Sequence, residues 1–483
     1  MRLPAGVETW IAEVTGAKVA AAIRIPGGAS REGWFVDVEG NGSVEPLYLR
    51  LDRGGTPSGS AFHSLWVEAE VFRSLYGTGV TVPKVIAVHP EIEAFLAERM
   101  PGDTWFYRIA DPAEQVAVAQ DFIRNLSALH RLDPSALALP SLGPIRSARE
   151  LALEEVGRMR ERATGADGAI DPLTEVCLDW LERNVPDYEA PVVLVQGDTG
   201  PGNFLYQGGR VTAVLDWELA HFGDPMDDIA WLSLRTVQDT FTHFPDRMAE
   251  YEELSGHPVD PERVWYYRLF AEARLMSSAR GAAGGPSAAG AAADQGQEED
   301  EGEEGETREE SGGGRDPGNP LIYGMLHRRL TLEALGQVAG IDLPPADLAP
   351  EPGNGDNQEV YDACLTALQT IVPRISDPLA SQWSKGLARA LKYLKEVDRS
   401  GAAFGEAELD DLGSLLGRRP TSLEAGRGEL VGAVRRGAVG SEDFICYLWR
   451  RTQRDDYLMR TASGVLRTRT WPELSDERRK GAM

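Results

Sequence analysis

Residues 281–318 hold Gly, Ala, Ser and Glu with almost no large apolar side chain, so they cannot offset the entropy of ordering. In a chain of 483 residues, itself longer than one hydrophobic core usually organises, this stretch must interrupt or separate folded units. It reads as a disordered acidic insertion. Between Asp294 and Glu310 there are ten acidic residues and one basic residue, against a net charge of −27 for the whole chain. The segment from Gly355 to Met483 is nearly neutral, with 19 acidic and 20 basic residues. That shift marks a separate C-terminal module.

The charge argues against a surface that binds nucleic acid by counterion release or rests on an anionic membrane. No apolar stretch approaches the ~18 residues that cross a bilayer, and the N-terminus lacks a basic start followed by an apolar core. A cytoplasmic protein without membrane or nucleic-acid partners is the expectation. Cys177, Cys364 and Cys446 are far apart, which suits reduced thiols.

Short apolar runs at Lys18–Ile25, Trp34–Val38 and Leu47–Leu51, separated by Gly and Asn turns, predict an antiparallel meander. A helix follows over Leu65–Tyr76, then strands at Val82–Val88 and Ala94–Ala97. Helical spacing dominates 113–132 and 173–185, and a second β island covers Val192–Val195, Phe204–Tyr206 and Val211–Leu215. Beyond the insertion, Asn319 and Pro320 predict a helix start. A helix from Asp377 to Arg399, stopping near Gly401, and further helices at 409–416, 430–434 and 444–458 predict a small all-α bundle.

The second β island carries the chemistry. It reads Val193-Leu-Val-Gln-Gly-Asp-Thr-Gly-Pro-Gly-Asn, then Val211-Thr-Ala-Val-Leu-Asp-Trp-Glu, ending in Gly223-Asp-Pro. An Asp five residues before an Asn, a hairpin, and a second Asp at a strand end are groups that phosphoryl transfer needs. One carboxylate orients the attacking hydroxyl; the amide oxygen and the second carboxylate are hard ligands for Mg²⁺. An isolated Asp-x-x-x-x-Asn is an ordinary surface turn; the second Asp and its strand distinguish this one. Asp224 and Asp228 read as scaffold at the start of the next helix, and His130 as structural.

These motifs resemble the aminoglycoside phosphotransferase family, a branch of the protein-kinase-like fold that includes choline and fructosamine kinases. They look closest to the subgroup related to the kinase portions of acyl-CoA dehydrogenase fusion proteins. The resemblance implies an α+β, bilobal fold with an antiparallel β N-lobe (1–103), a mostly α C-lobe (104–340, containing the insertion), a linker (341–357) and a C-terminal all-α helical domain (358–483). It implies an ATP-dependent phosphotransferase, GTP not excluded, acting with Mg²⁺ on a hydroxyl of a small molecule: an aminoglycoside, a hydroxyacyl-CoA or another metabolite. Asp198 would be the catalytic base, and Asn203 and Asp216 the metal ligands. Gly27, Gly28 and Ser30 would lie over the nucleotide phosphates, Arg50 would contact them with Glu68 as its ion-pair partner, and Glu98 and Met100 would flank the adenine hinge. Two positions depart from the pattern: Gln196 stands where the family has His, and Arg50 where kinases place Lys. They motivate the alternative of a non-catalytic nucleotide-binding regulatory protein. The C-terminal helices resemble a helical domain of unknown function, for which packing on the kinase-like domain, homodimerisation and shaping of the substrate entrance all stay open.

Overall fold

A computed structural model describes residues 3–25, 31–40, 42–52, 63–165, 168–187, 189–279, 318–348 and 355–476. Gly27, Gly28, Ser30 and the acidic insertion up to residue 317 lie outside the described residues. The chain divides into two compact units. The first comprises Met1–Ala169, Cys177–Gly281 and Thr470–Met483; the second comprises Ile170–Val176 and Ala282–Arg469.

In the first unit, α1 (Ala5–Thr15) precedes the expected meander, β1 (Lys18–Ile25), β2 (Arg31–Gly40) and β3 (Ser43–Asp52). After α2 (Leu65–Leu75), β4 (Val85–Val88) and β5 (Ala94–Glu98) complete an antiparallel sheet in the order β1-β2-β3-β5-β4. Alternation gives the sheet two different faces. Trp34, Val36 and Val38 of β2 and Leu47, Leu49 and Leu51 of β3 form a core with Val7, Trp10 and Ile11 of α1. The intervening Tyr48 and Arg50 therefore point to the opposite face, where Phe72 of α2 packs on Phe95 with ring centroids 5.8 Å apart. That face positions the site.

The remainder of this unit is mostly helical: α3 (Pro112–His130), α4 (Ala148–Ala163), α5 (Pro172–Arg183), α6 (Met226–Gln238), α7 (Phe244–Ser255) and α8 (Pro261–Ala279), with α5 running across the boundary between the units. Asp111 caps α3 by accepting from Ala113 N at 3.0 Å, with Pro112 in the first turn. Between α5 and α6 the β island forms two antiparallel pairs. β6 (Val193–Val195) pairs with β9 (His221–Gly223), and β7 (Phe204–Gln207) forms a hairpin with β8 (Arg210–Val214). Asp121 of α3 fixes the hairpin by accepting from Val211 N at 2.8 Å, and Phe122 stacks on Phe204 with centroids 4.6 Å apart.

The second unit is all helical among its described residues: α9 (Gly318–Ala339), α10 (Gln358–Ile371), α11 (Pro378–Leu416), α12 (Leu423–Arg435) and α13 (Ser441–Met459), with the start of α5. The expected stop near Gly401 is corrected, because α11 runs unbroken for 39 residues. Ser400, Phe404, Glu408 and Leu412 are all buried at intervals of one turn, so the inward face continues through Gly401 and Gly405. Packing outweighs the weak helix preference of two glycines. Glu408 anchors this stretch, accepting from Arg427 Nε and Nη2, each at 2.7 Å, and from the Tyr447 hydroxyl at 2.7 Å.

Candidate active site

β3 carries Arg50 onto the site face of the sheet, and there it joins three acidic side chains. Its Nη1 donates to Glu68 of α2 at 2.7 Å, and its Nη2 to Asp216 at 3.1 Å and Glu218 at 3.3 Å. The predicted Arg50–Glu68 pair therefore forms, and one guanidinium joins the sheet, α2 and the segment after β8. A planar fork serves several carboxylates at once, which a lysine ammonium does less well. Burial works against the charge on Arg50, but Glu68, Asp216 and Glu218 outweigh it and hold its pKa above the ordinary value.

Arg31, at the start of β2, completes the cluster. Its Nη1 donates to Glu218 at 2.7 Å and its Nη2 to the carbonyl oxygen of His63. Glu68 is wholly buried, and its second oxygen lies 3.9 Å from Arg31 Nη1. Burial and the nearby Asp216 charge push Glu218 up to about 7, against the pull of Arg50 and Arg31.

Asp216 follows β8 with φ 62°, the only non-glycine at positive φ among the described residues. Such backbone costs of order 1–3 kcal/mol and persists where the surroundings over-determine it. Here Trp217 is fully buried, edge-on to Phe72 at 6.5 Å. The side chain of Gln196 also donates to Leu215 O at 2.7 Å.

The Gly197–Asn203 loop is anchored from below by Asp228 of α6. This carboxylate accepts from the backbone N–H groups of Gln196 and Gly197, both at 2.9 Å, and from the Thr199 hydroxyl, while His130 Nε2 lies 3.0 Å away. Asp228 thus holds the loop, whereas Asp224, just before α6, accepts from Met226 N at 2.9 Å. Gly197 has φ 86°, and a Cβ there would strike the Leu219 carbonyl. Within the loop, Asn203 Nδ2 donates to Asp198 O at 2.7 Å, and Leu215 N donates to Asn203 O at 2.8 Å. This path links Asp198, Asn203 and the strand end that bears Asp216. Arg235 of α6, absent from the sequence reading, reaches Asp198 with two hydrogen bonds: Nε to Oδ1 at 2.8 Å and Nη2 to Oδ2.

Glu98 and Met100 lie apart from this cluster, at the end of β5. Arg99 between them pairs with Asp37 at 3.2 Å and covers the ring of Phe35, 5.2 Å from its centroid.

The donor set suits a hard divalent cation. With its amide nitrogen committed to Asp198 O, Asn203 keeps Oδ1 for another partner, and Asp216 supplies a carboxylate one residue beyond Leu215.

A family model described as the phosphotransferase enzyme family matches residues 21–265, just over half of the chain. The chain belongs to this family. Its first unit accordingly has the phosphotransferases' kinase-like architecture, an antiparallel sheet lobe followed by a mostly helical lobe. Acyl-CoA dehydrogenase family member 11 of Rattus norvegicus is 27% identical over 222 residues, covering 42% of this chain and 27% of the relative. The matched part of the chain thus spans only about a quarter of the length of that relative. Hygromycin-B 4-O-kinase of Escherichia coli is 31% identical over 99 residues, covering 20% of this chain and 28% of that one. Among solved structures, macrolide 2'-phosphotransferase MphH from Brachybacterium faecium is 22% identical with a TM-score of 0.44, covering 61% of this chain and 99% of the other. No helix among the described residues is long and apolar enough to cross a membrane.

Proposed function

We propose that this phosphotransferase moves the γ-phosphate of ATP to a hydroxyl of a small molecule, at a site made by Asp198, Asn203, Asp216, Arg50 and Glu68. The supporting observation is the bonded path from Asp198 through Asn203 to the Asp216 strand end, closed by the Arg50 fork. The acceptor oxygen forms a bond to the γ-phosphorus as the bond to the bridging oxygen breaks, and its electron pair leaves with ADP. The acceptor proton passes to Asp198 and on to solvent. Asn203 and Asp216 would hold Mg²⁺, which neutralises charge on the phosphate oxygens when bound. Arg50 would turn from Asp216 toward the phosphates while keeping its hold on Glu68. Glu98 and Met100 would present the hinge to the adenine. Orientation and preorganised charge supply most of the rate, since this chemistry asks little covalent work of the protein.

Both departures from the family pattern serve the site. Gln196 braces the strand end before Asp216, and Arg50 bridges the acidic groups, so neither favours a protein without turnover. Two relatives, one named a hygromycin-B 4-O-kinase and one an acyl-CoA dehydrogenase family member, support aminoglycosides and acyl-CoA compounds as acceptors to try first. Three free cysteines fit a cytoplasmic setting.

The test follows ADP release with Mg-ATP across hydroxylated metabolites, hydroxyacyl-CoAs and aminoglycosides. Acceptor-dependent release that disappears in Asp198→Ala is expected. Turnover surviving that substitution overturns the assignment, and the absence of any stimulating acceptor favours a regulatory nucleotide-binding role.

A further inference from the structure

Between Gln196 and Asn203 the loop contains no basic residue. A transferring phosphoryl group spreads negative charge over its equatorial oxygens and gains from a fixed cation. We propose that Arg235 supplies that cation from α6 and is also the positioning residue that aims Asp198; this rests on the phosphotransferase reading above.

Three features of one helix face carry the inference. Asp228, Leu232 and Arg235 are spaced one turn apart on α6, and all three meet the same loop. Asp228 binds the backbone of Gln196 and Gly197. Leu232 and Arg235 meet Gly200, where an added Cβ would lie 2.7 Å from Arg235 Cβ and 3.3 Å from Leu232 Cδ1. With φ 139°, Gly200 adopts a backbone that other residues rarely take, and its bare Cα lets the helix approach. The arginine stem thus fills the space a side chain at position 200 would need.

From there the guanidinium grips both oxygens of Asp198, and Nη1 lies on the Gly202 side, 3.9 Å from where a Cβ of that residue would stand. The bidentate pair fixes the plane of the Asp198 carboxylate, which a monodentate contact would leave free to rotate. Arg235 keeps 26% of its side chain exposed and so reaches the open edge of the loop. A cation on a rigid helix needs no loop reorganisation when charge develops.

The test compares the full chain with Arg235→Lys, Arg235→Gln and Arg235→Ala. The Kd of Mg-ADP is measured by calorimetry with and without aluminium fluoride, which mimics the phosphoryl group in transfer. In the wild type, fluoride should tighten ADP binding. Arg235→Gln and Arg235→Ala should lose about 100-fold of that gain, the scale of removing one preorganised donor, while ADP alone stays within about twofold. Arg235→Lys, which keeps the stem on Gly200, should recover part of it, and millimolar guanidinium should restore Arg235→Ala. Equal loss with and without fluoride, or no loss, overturns the role of Arg235. A wild type that gains nothing from fluoride overturns the phosphotransferase reading itself, and that outcome is visible before any variant is made.

Discussion

The side-chain amide of Gln196 donates to the carbonyl oxygen of Leu215 at 2.7 Å, tying the loop that bears Asp198 to the strand end that bears Asp216. Gln196 is 1% exposed and Leu215 half-buried, so the bond is largely shielded from water. Gln196→Ala should therefore cost about 1–3 kcal/mol in denaturant unfolding, the penalty of leaving a largely shielded carbonyl without its donor. It should also weaken Mg-ADP binding. Gln196→His, whose ring N–H can reach the same oxygen, should restore both. A His variant no better than Ala would mean that packing, not the hydrogen bond, sets the role of this position.

Asp228 accepts from two backbone amides and a hydroxyl beside His130, all within the core. Asp228→Ala strands every one of them. The expected loss of stability is about 3–5 kcal/mol, as for a buried charge network that loses one partner. Hydrogen exchange should rise first at Gln196 and Gly197, and uniform exchange across α6 would contradict the anchoring role.

The local part of this site was legible in the sequence. Asp198 and Asn203 precede one hairpin and Asp216 follows it, so the motif spacing already brings them near one another, while the pairing of Arg50 with Glu68 rests on the resemblance to kinase-like proteins. Contacts from distant parts of the chain were not. Arg31 meets Glu218 across 187 residues and Arg235 meets Asp198 across 37, and no periodicity records such a pairing. The sheet strands were visible through alternation, whereas α1, α4 and the short β9 escaped notice. In α11, Gly401 looked like a stop, but the buried side chains on either side keep the helix going.

Glu218 gives the site a pH dependence. Its carboxyl is pushed up to about 7 from an ordinary 4.5 by burial and by Asp216, so the folded chain binds its proton more tightly than the unfolded chain does. Its stabilising contribution is full below about 4.5 and is lost as pH rises through about 7. Glu218→Gln removes the titration. The variant should therefore gain stability relative to wild type between pH 5 and 8, measured as the difference in urea midpoints. A constant difference across that window would show that Glu218 does not titrate there.

Arg50→Lys tests whether the fork or only the charge matters. The guanidinium holds Glu68 through Nη1 and both Asp216 and Glu218 through Nη2. A single ammonium should stay with the fully buried Glu68, where an unpaired carboxylate costs most, and release Asp216. The expected result is a stability loss of about 1–2 kcal/mol, well below that of Arg50→Ala, which leaves Glu68 unpaired. Mg-ATP affinity should fall about tenfold, because the ammonium cannot grip phosphate oxygens bidentately. Combining Arg50→Ala, which does remove the contact, with Glu68→Gln closes a double-mutant cycle. Coupling near zero in that cycle would place Arg50 outside the energetics of the pair and return the phosphate contact to another cation.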